Sequence, residues 1–272
     1  MLINGNTSRL ISAADRGLQY GDGLFETLAV VDGQPRLWER HMVRLSRGEQ
    51  RLGLPPQDKA QLWREALSLS QGHARAVLKI LLTRGEGGRG YRPPAKPQIS
   101  RLLSLHDWPD YPVDWYASGM RLRVCRTLIG RNRTLAGIKH LNRLEQVLAR
   151  QEWDDPAVAE GLMLDELGHV IEGTQSNLFV LRHNRLMTPD LAYSGVSGVL
   201  RGLVLELAEE LEIPWEIKTL TLADVKAAEA VFMTNSLLGI CPVAELEGHH
   251  YASTRALDRL TERVRSLAHC AS

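Results

Sequence analysis

Lys139 is the residue of this chain whose type and setting most directly suggest chemistry. It lies in Ala136-Gly137-Ile138-Lys139-His140-Leu141, between apolar residues at the predicted start of a helix. A lysine amine is a nucleophile only when it is unprotonated, and partial desolvation lowers its pKa toward neutral pH. The segment therefore predicts a lysine that can form an imine with a carbonyl group. Because most lysines are solvated surface charges, an exposed lysine is the alternative.

Two further charged residues, Arg44 and Glu172, are of the types that an anionic ligand with a ring nitrogen would need. Arg44 is predicted on an amphipathic helix, where its planar guanidinium could hold a phosphate through two hydrogen bonds. A solvated arginine on a helix face is the alternative. Glu172 lies between two apolar stretches, where a carboxylate is costly unless it has a cationic partner. A protonated ring nitrogen is one such partner, and an exposed turn glutamate is the other interpretation.

Two segments could supply hydrogen-bond donors to a phosphate. Residues 194–201 enter an apolar helix through glycine and serine, so free N–H groups at its start would face an anion with the support of the helix dipole. Residues 234–237, Thr-Asn-Ser-Leu, follow an apolar strand and could present a hydroxyl and amides to the same group. A capped helix and a simple turn are equally compatible with these two patterns.

A glycine-rich segment, residues 84–94, separates two predicted strands. Its glycines and arginines could suggest RNA or nucleotide binding, but it lacks the residue order of a P-loop and occurs only once. The chain has 33 Lys plus Arg and 32 Asp plus Glu, a net charge of +1, which gives no electrostatic argument for nucleic acid or an anionic membrane. The segment therefore favours a small anionic substrate.

The composition is that of an ordinary globular protein. With 272 residues, 44% hydrophobic and 24% charged, the chain can bury a substantial core in one large or two modest domains. Cys125, Cys241 and Cys270 are odd in number and lack paired ligand spacing, which argues against disulfides and a structural zinc. No signal peptide and no apolar run of membrane-spanning length is found. We therefore expect a cytoplasmic protein with no metal and no membrane segment.

The hydrophobic pattern predicts two domains joined by a short linker. Residues 1–106 form the smaller N-terminal α/β domain, and 119–272 form the larger C-terminal domain. Residues 107–118 contain Pro109 and Pro112 and have the composition of an interdomain linker. The predicted strands are 24–31, 76–83, 98–105, 120–126, 160–165, 176–182 and 229–234. The predicted helices are 38–53, 57–70, 141–153, 198–211 and 252–268. Because regular βαβ spacing is missing, the pattern favours an α+β or mixed α/β fold.

Taken in order, these residues resemble the fold-type IV pyridoxal-phosphate enzymes. This family includes branched-chain aminotransferases, D-amino acid aminotransferases and 4-amino-4-deoxychorismate lyases. The resemblance covers nearly the whole chain and includes residues 15–27 (DRGLQYGDGLFET), the helix of Arg44, and the Glu172 segment that ends in Asn177-Leu178-Phe179. Within the family, residues 83–91 (TRGEGGRGY) and 135–148 (LAGIKHLNRLEQVL) are similar to the lyases.

The resemblance implies a two-domain fold of the D-amino acid aminotransferase type with bound pyridoxal 5′-phosphate. It also implies a homodimer whose active site lies between the domains and is partly closed by the other subunit. Lys139 would hold the cofactor aldehyde, Glu172 would meet the pyridine nitrogen, and Arg44 would bind the phosphate. The further cofactor-binding residues that the family implies are Val199, Leu200, Ser236 and Leu237.

The similarity to the lyases implies conversion of 4-amino-4-deoxychorismate into p-aminobenzoate and pyruvate, a step of folate biosynthesis. Lys139 would be the base that takes the proton from the ring carbon bearing nitrogen. Thr27 would donate a hydrogen bond or relay a proton near the leaving pyruvyl oxygen. Arg89 and Tyr91 are candidates for binding a substrate carboxylate. A D-amino acid or branched-chain transaminase is the alternative, because it shares every cofactor residue.

Overall fold

The computed structural model describes residues 1–268, and the chain divides into two compact units. Unit 1 consists of Met1–Pro109 and Ile138–Asn142, and unit 2 consists of Asp110–Gly137 and the chain from Arg143 onward. The first boundary falls inside the predicted linker 107–118. The sequence pattern does not predict that Ile138–Asn142 belongs to unit 1.

Unit 1 is built on a six-stranded antiparallel sheet with strand order β2-β1-β6-β5-β3-β4. The strands are β1 (Leu2–Ile3), β2 (Asn6–Thr7), β3 (Gly23–Val31), β4 (Gln34–Pro35), β5 (Arg75–Thr83) and β6 (Ser100–His106). Asp32 and Gly33 join β3 to β4 with φ values of 52° and 73°. Such a two-residue turn matches the twist of the strands, which is why Asp-Gly here predicts the hairpin.

Three helices belong to unit 1: α1 (Arg16–Tyr20), α2 (Trp38–Leu52) and α3 (Lys59–Ser70). The bounds of α2 and α3 agree closely with the prediction, because each has a clear apolar stripe and a clear end. Gly53 ends α2, and the Asp58 side chain caps α3 by accepting from Ala60 N at 2.9 Å. The helices and the long strands share a buried core that includes Leu28, Met42, Leu62, Ile80 and Leu103.

The segment Ile138–Asn142 pairs with the free edge of β3. Phe25 N donates to Lys139 O at 2.9 Å, and Leu141 N donates to Gly23 O at 3.0 Å. The prediction of a helix from residue 141 is therefore wrong at its start, since the observed helix spans Leu144–Arg150. The open strand edge offers backbone partners that the local sequence pattern does not reveal.

Unit 2 is built on a ten-stranded mixed sheet with strand order β12-β11-β10-β14-β15-β7-β8-β9-β13, and β16 pairs with β15. The strands are β7 (Met120–Val124), β8 (Val158–Leu164), β9 (His169–Gly173), β10 (Asn177–Arg182), β11 (Arg185–Pro189), β12 (Trp215–Lys218), β13 (Leu220–Thr221), β14 (Ala230–Asn235), β15 (Gly239–Leu246) and β16 (His249–His250). The helices are α4 (Asp114–Ser118), α5 (Leu144–Arg150), α6 (Val199–Glu210), α7 (Leu222–Lys226) and α8 (Arg255–Ala268).

The predicted linker differs from the structure in its second half. Trp115 and Tyr116, on α4, pack against the buried core of unit 2, and Tyr116 Oη donates to Leu238 O at 3.0 Å. Burial of aromatic side chains stabilises the fold, so the second half of the stretch packs onto unit 2.

The mixture of antiparallel and parallel strand pairs confirms the predicted mixed α/β class. Several strands of unit 2 are not identified by the sequence pattern. For example, β9 contains His169 and Glu172, and β15 begins with glycine and contains Pro242, so neither has an uninterrupted strand signal. No helix within residues 1–268 is both long enough and apolar enough to cross a membrane.

Candidate active site

Lys139 lies beside an aromatic ring of unit 1. Its Nζ is 4.3 Å from the centroid of the Phe25 ring, and its backbone carbonyl accepts from Phe25 N. A second lysine, Lys79 on β5, places its Nζ 5.5 Å from the same ring. A ring face attracts cations and excludes water from one side of the amine. Lys139 is therefore held at a sheet edge in a partly apolar setting, as its sequence context predicts.

Thr27 and Lys79 are directly opposite each other in the β3–β5 pair, so their side chains share one face of the sheet. Both side chains are half-buried. Neither the Thr27 hydroxyl nor the Lys79 amine forms a hydrogen bond or ion pair with any residue that the structure describes. Two half-buried polar groups without partners on one face, next to Lys139, are available to a ligand.

Arg44 lies on the helix-covered side of the same strand. Its Nε donates to Glu26 Oε1 at 2.9 Å and its Nη2 to Glu26 Oε2 at 2.5 Å, while His41 Nδ1 lies 2.6 Å from Glu26 Oε2. Burial alone would raise the pKa of Glu26, but the charge and hydrogen bonds of Arg44, together with His41, lower it to about 2. Arg44 is thus buried and fixed by a carboxylate, which the alternative of a solvated helix-face arginine does not describe.

Burial also lowers the pKa of His41, and the charges of Arg44 and Lys139 act in the same direction, although Glu26 opposes them. The lowered pKa favours the neutral imidazole, and Nδ1 is the ring nitrogen that faces the carboxylate, 2.6 Å from Glu26 Oε2. Its Nε2 is buried and has no partner among the described residues.

Residues 15–27 anchor the glycine-rich segment, residues 84–94, through hydrogen bonds and ion pairs. Asp22 Oδ2 accepts from Arg16 Nε and from Arg84 Nε, each at 2.8 Å. Arg84 also donates to the carbonyls of Leu52 and Gly53, at 2.7 and 3.1 Å, and so satisfies the end of α2. Because Arg84 is buried in these contacts, it is not available to a nucleic acid.

Arg89 and Tyr91 lie in the exposed part of this segment. Arg16 Nη1 and Nη2 donate to the carbonyls of Gly90 and Tyr91, at 3.1 and 2.9 Å, and the Tyr91 ring packs edge-on against Tyr20. Tyr91 is nevertheless 85% exposed. Their role in binding the substrate stays a prediction.

Glu172 is a buried strand residue and not an exposed turn residue. It lies on β9 of unit 2 and is 5% exposed. Its Oε2 accepts from Val196 N at 2.8 Å and from Asn177 Nδ2 at 3.3 Å. Asn177 also donates to Val196 O at 2.9 Å, which fixes the orientation of its amide. The carboxylate is therefore oriented rigidly, as a group that must meet a ring nitrogen would need to be.

The turn that follows Glu172 is organised by a second buried carboxylate, Glu160 on β8. It accepts from Thr174 Oγ1 at 2.5 Å, from Ser176 Oγ at 2.8 Å and from the Thr174 amide at 3.1 Å. Burial raises the pKa of Glu160, although these donors oppose the shift. These hydrogen bonds fix the turn between β9 and β10 and therefore the spacing of Glu172 and Asn177.

Helix α6 begins against Asn177. A Cβ added to Gly198, the N-cap residue, would lie 1.9 Å from Asn177 Oδ1, so only glycine permits this approach. No side chain caps this end of the helix. The first-turn N–H groups of Val199 and Leu200 are therefore left for another acceptor, as expected for an anion site.

The segment that follows β14 is only partly as predicted. The amide of Leu237 donates to Asn235 Oδ1 at 2.9 Å, and the Leu238 amide does so at 2.8 Å. The Leu237 amide is therefore already engaged in a local turn. Ser236 is half-buried. Thr234, two residues earlier, has a buried Oγ1 with no partner in the described chain.

These groups of unit 2 suit a planar, nitrogen-containing phosphate ester. An oriented carboxylate at Glu172, an uncapped helix start at Gly198 and an unsatisfied hydroxyl at Thr234 are linked through Asn177, which donates to Glu172, lies against Gly198 and pairs with Thr234. A phosphate accepts hydrogen bonds from amide and hydroxyl donors, and a pyridinium donates to a carboxylate. The residues present therefore fit pyridoxal 5′-phosphate.

Cys125 and Cys241 have no reactive role in this site. Cys125 and Cys241 are buried thiols, and burial raises the pKa of each to about 12, so neither is a reactive thiolate at neutral pH. Cys270 lies outside the described residues. Among residues 1–268 no group of three or more His, Cys, Asp or Glu side chains is arranged to hold a metal ion.

Comparison with known proteins identifies the family. Residues 23–246 match the model of the family described as amino-transferase class IV. The chain belongs to this family. The predicted resemblance is thereby confirmed, and pyridoxal 5′-phosphate, the cofactor of the family, is the cofactor that the site fits.

Two similar proteins are lyases. An aminodeoxychorismate lyase from Vibrio harveyi is 36% identical over 262 residues, which cover 96% of this chain and 97% of the relative. The crystal structure of 4-amino-4-deoxychorismate lyase from Pseudomonas aeruginosa has 45% sequence identity and a TM-score of 0.94, and the match covers 97% of this chain and 98% of that one.

A third similar structure is the branched-chain amino acid aminotransferase of Escherichia coli. It has 24% identity and a TM-score of 0.87 over 97% of this chain and 93% of its own. At this identity the likeness shows the fold alone, and it confirms the predicted fold-type IV architecture for a class IV aminotransferase.

Sequence reasoning assigned no site role to several residues that the structure brings to these sites: Glu26, His41, Lys79 and Asn177. For two of them a signal was present. Glu26 and Lys79 are single charges inside apolar strand runs, where a charge is costly unless it has a partner or a function. The others depend on strand register and on the position of α6, which the sequence does not give.

Proposed function

We propose that this protein is a pyridoxal-phosphate-dependent lyase that converts 4-amino-4-deoxychorismate into p-aminobenzoate and pyruvate, a reaction of folate biosynthesis. The observation that carries the proposal is the 45% identity with the Pseudomonas aeruginosa lyase over nearly the full length of both chains. The lyase-like segments 83–91 and 135–148, and the position of Lys139 beside Phe25 and Thr27, support it.

The bound cofactor would supply an electron sink for the carbon atom that loses a proton. Glu172 would keep the ring nitrogen protonated, because its oriented carboxylate stabilises a positive charge there. Arg44, the amides of Val199 and Leu200, and the hydroxyl of Ser236 would bind the phosphate. Leu237 would contribute less than the family pattern implies, since its amide is engaged by Asn235.

Lys139 would both hold the cofactor and move the proton. Its Nζ would take the proton from the ring carbon that bears nitrogen, after which the carbon–oxygen bond to the pyruvyl group breaks. The Phe25 ring would keep water away from one side of Nζ. The step itself requires the unprotonated amine.

Thr27 and Lys79 would contact the substrate. The substrate carries two carboxylates, and Lys79 is a half-buried cation without a carboxylate partner in the described chain, directly opposite Thr27. Lys79 would bind one carboxylate, and the Thr27 hydroxyl would donate to the leaving pyruvyl oxygen. Arg89 and Tyr91 remain candidates for the other carboxylate, from the exposed segment that Arg16 anchors.

We further propose that the protein is a cytoplasmic homodimer without nucleic-acid or membrane partners. The similarity to the family supports the dimer. The neutral charge balance supports the absence of nucleic-acid binding, because no net positive field is present to attract phosphates.

The test is to supply purified protein with 4-amino-4-deoxychorismate in the absence of any keto acid, and to follow p-aminobenzoate fluorescence and pyruvate together. Equal amounts of both products over many turnovers are expected. Absence of p-aminobenzoate would overturn the lyase proposal.

The transaminase alternative is favoured by the fold shared with the Escherichia coli aminotransferase. It predicts that D-alanine or branched-chain amino acids yield keto acids when a keto-acid acceptor is present. Rapid keto-acid production, with no p-aminobenzoate from the first assay, would replace the lyase by a transaminase.

A further inference from the structure

A buried aspartate, Asp165, organises the turn between β8 and β9. It is 1% exposed, and its Oδ1 accepts from the amides of Leu167 and His169, at 3.0 and 2.9 Å. These bonds close the turn at Gly168, whose φ is 77°, and begin β9, the strand that carries Glu172 three residues after His169. The position of Glu172 therefore depends on a turn that one carboxylate holds together.

The second carboxylate oxygen of Asp165 forms an ion pair with Arg131. Arg131 Nη1 donates to Asp165 Oδ2 at 2.5 Å, and His169 Nδ1 lies 3.2 Å from the same oxygen. The Arg131 guanidinium also lies over the Tyr193 ring, 4.2 Å from its centroid. A charge-assisted hydrogen bond to a buried carboxylate is short and directional, so this pair fixes the place of Arg131 relative to the β8–β9 turn.

The segment that begins with this arginine, residues 131–137, pairs with the loop of residues 193–197. Gly137 N donates to the carbonyl of Gly195 at 2.9 Å, and the Gly137 carbonyl accepts from the amide of Ser197 at 3.0 Å. Backbone hydrogen bonds in both directions hold the two stretches side by side. The end of the segment is therefore fixed by the loop, as its start is fixed by the ion pair.

The same loop, residues 193–197, also holds Glu172. Val196 N donates to Glu172 Oε2 at 2.8 Å. A Cβ added to Gly195 would lie 3.2 Å from the same oxygen, so the backbone of the loop approaches the carboxylate closely. One loop thus orients Glu172 and binds the residue that lies two positions before Lys139 in the chain.

We propose that Asp165 and Arg131 are positioning residues for the reaction: their ion pair ties the start of β9 to the start of residues 131–137, and so orients Glu172 and the chain that leads to Lys139. The proposal rests on the roles of Glu172 and Lys139 in the proposed function. Both residues of the pair act through other groups. Because a displacement of reacting groups by about 1 Å can slow a reaction strongly, loosening this pair slows the chemistry more than it weakens substrate binding.

The experiment has two arms. In the apoprotein, hydrogen exchange of residues 131–137 and 193–197 is followed by mass spectrometry, which reports local opening without any cofactor. In the second arm, pyridoxal 5′-phosphate is added to the apoprotein, the rate at which visible absorbance appears is measured, and kcat and KM for 4-amino-4-deoxychorismate are then determined.

Three variants break or keep the ion pair. Asp165→Asn keeps an acceptor for the two turn amides and removes the charge, Arg131→Met removes the guanidinium, and Arg131→Lys keeps a cation. Arg101→Met is the matched control, because it breaks another largely buried ion pair, with Glu65 at 2.7 Å in unit 1.

We expect Asp165→Asn and Arg131→Met each to speed hydrogen exchange in residues 193–197 by about tenfold. Each should slow the appearance of visible absorbance and lower kcat by about tenfold, with KM within about twofold of wild type. Arg131→Lys should recover most of kcat. Arg101→Met should lower the melting temperature, yet keep wild-type exchange in residues 193–197 and wild-type kcat.

Wild-type exchange and kcat in both Asp165→Asn and Arg131→Met would overturn the proposal, and so would an equal loss of kcat in Arg101→Met, because the ion pair would then serve stability alone. If Asp165→Asn does not fold, Arg131→Met and Arg131→Lys decide. Wild-type protein that develops no visible absorbance with pyridoxal 5′-phosphate would instead overturn the proposed function. The exchange arm needs no cofactor, so the two failures are distinguishable.

Discussion

The two faces of strand β3 differ in whether their charged side chains have partners within the described chain. On the face covered by α2, Glu26 is fully buried and bound by Arg44 and His41 at 2.5 to 2.9 Å. On the opposite face, the adjacent residues Phe25 and Thr27 lie beside Lys79, whose amine has no carboxylate partner in the described chain. Alternation along one strand thus separates a closed ion-pair cluster from an open cationic surface.

The difference shows which charges serve the fold and which are left for a ligand. The buried Glu26 carboxylate is satisfied within the chain by the bidentate guanidinium of Arg44. A half-buried lysine without a partner is satisfied only by solvent or by a bound anion. Each of the following variants changes one side of this contrast.

The largest effect is expected from Lys139, at the edge of the open face. Lys139→Ala should lower the turnover of 4-amino-4-deoxychorismate by at least about a thousandfold, because both the covalent hold and the proton transfer are lost. The measurement is p-aminobenzoate fluorescence at saturating substrate. Lys59→Ala, an exposed lysine on α3, should retain wild-type turnover, and a Lys139→Ala variant with similar activity would refute the assigned role.

On the closed face, Glu26→Gln should lower the free energy of unfolding by about 3 kcal/mol at pH 7, because it leaves Arg44 buried without its counter-charge. The measurement is urea denaturation followed by circular dichroism. Glu39→Gln, at an exposed position on the same helix that carries Arg44, should change the free energy of unfolding by less than about 1 kcal/mol.

The Glu26 cluster also predicts the acid limit of stability. The pKa of Glu26 is lowered to about 2 from its ordinary value of 4.5, so its contribution is fully present above pH 4.5 and is lost as the pH falls toward 2. Burial lowers the pKa of His41, so protonation of this side chain at acid pH also destabilises the fold. The difference in stability between wild type and Glu26→Gln should therefore shrink between pH 4.5 and pH 3. A difference that stays constant over this range would contradict the ionised state of Glu26.

On the open face, Lys79→Met should raise the KM for 4-amino-4-deoxychorismate by about tenfold with a smaller change in kcat, because a charge-assisted contact to a carboxylate is lost. Lys79→Arg should recover most of the affinity. Arg89→Ala is the matched comparison on the exposed segment: a KM unchanged by Arg89→Ala would remove Arg89 from the substrate site. A KM unchanged by Lys79→Met would remove Lys79.

The smallest effect is expected from Thr27. Thr27→Val should lower kcat by about fivefold, the size expected for loss of one hydrogen bond, while Thr27→Ser should keep wild-type kcat. Steady-state kinetics of the purified variants provide the measurement. Equal losses in both variants would indicate that the methyl group and not the hydroxyl is needed.

Local patterns predicted much of this molecule. The helices α2, α3, α6 and α8 and the central strands were identifiable, because amphipathic periodicity, capping residues and apolar runs are local properties. The motifs around Lys139, Glu172 and Arg44 gave the family and the cofactor. The same reasoning did not find β9 or β11, because these short strands contain charged residues or proline and lack an uninterrupted strand signal. It placed Lys139 at the mouth of a helix, since pairing with Phe25, more than a hundred positions away, leaves no local pattern.

The sequence by itself thus determined the family, the cofactor and the residue types that the chemistry requires, because these follow from segments that are contiguous in the chain. Only the tertiary structure decided that Arg44 is bound by Glu26, that Lys79 and Thr27 share a face, and that Asn177 joins Glu172 to the start of α6. Each of these depends on strand register and helix placement, which are set by packing of distant segments and not by any one of them.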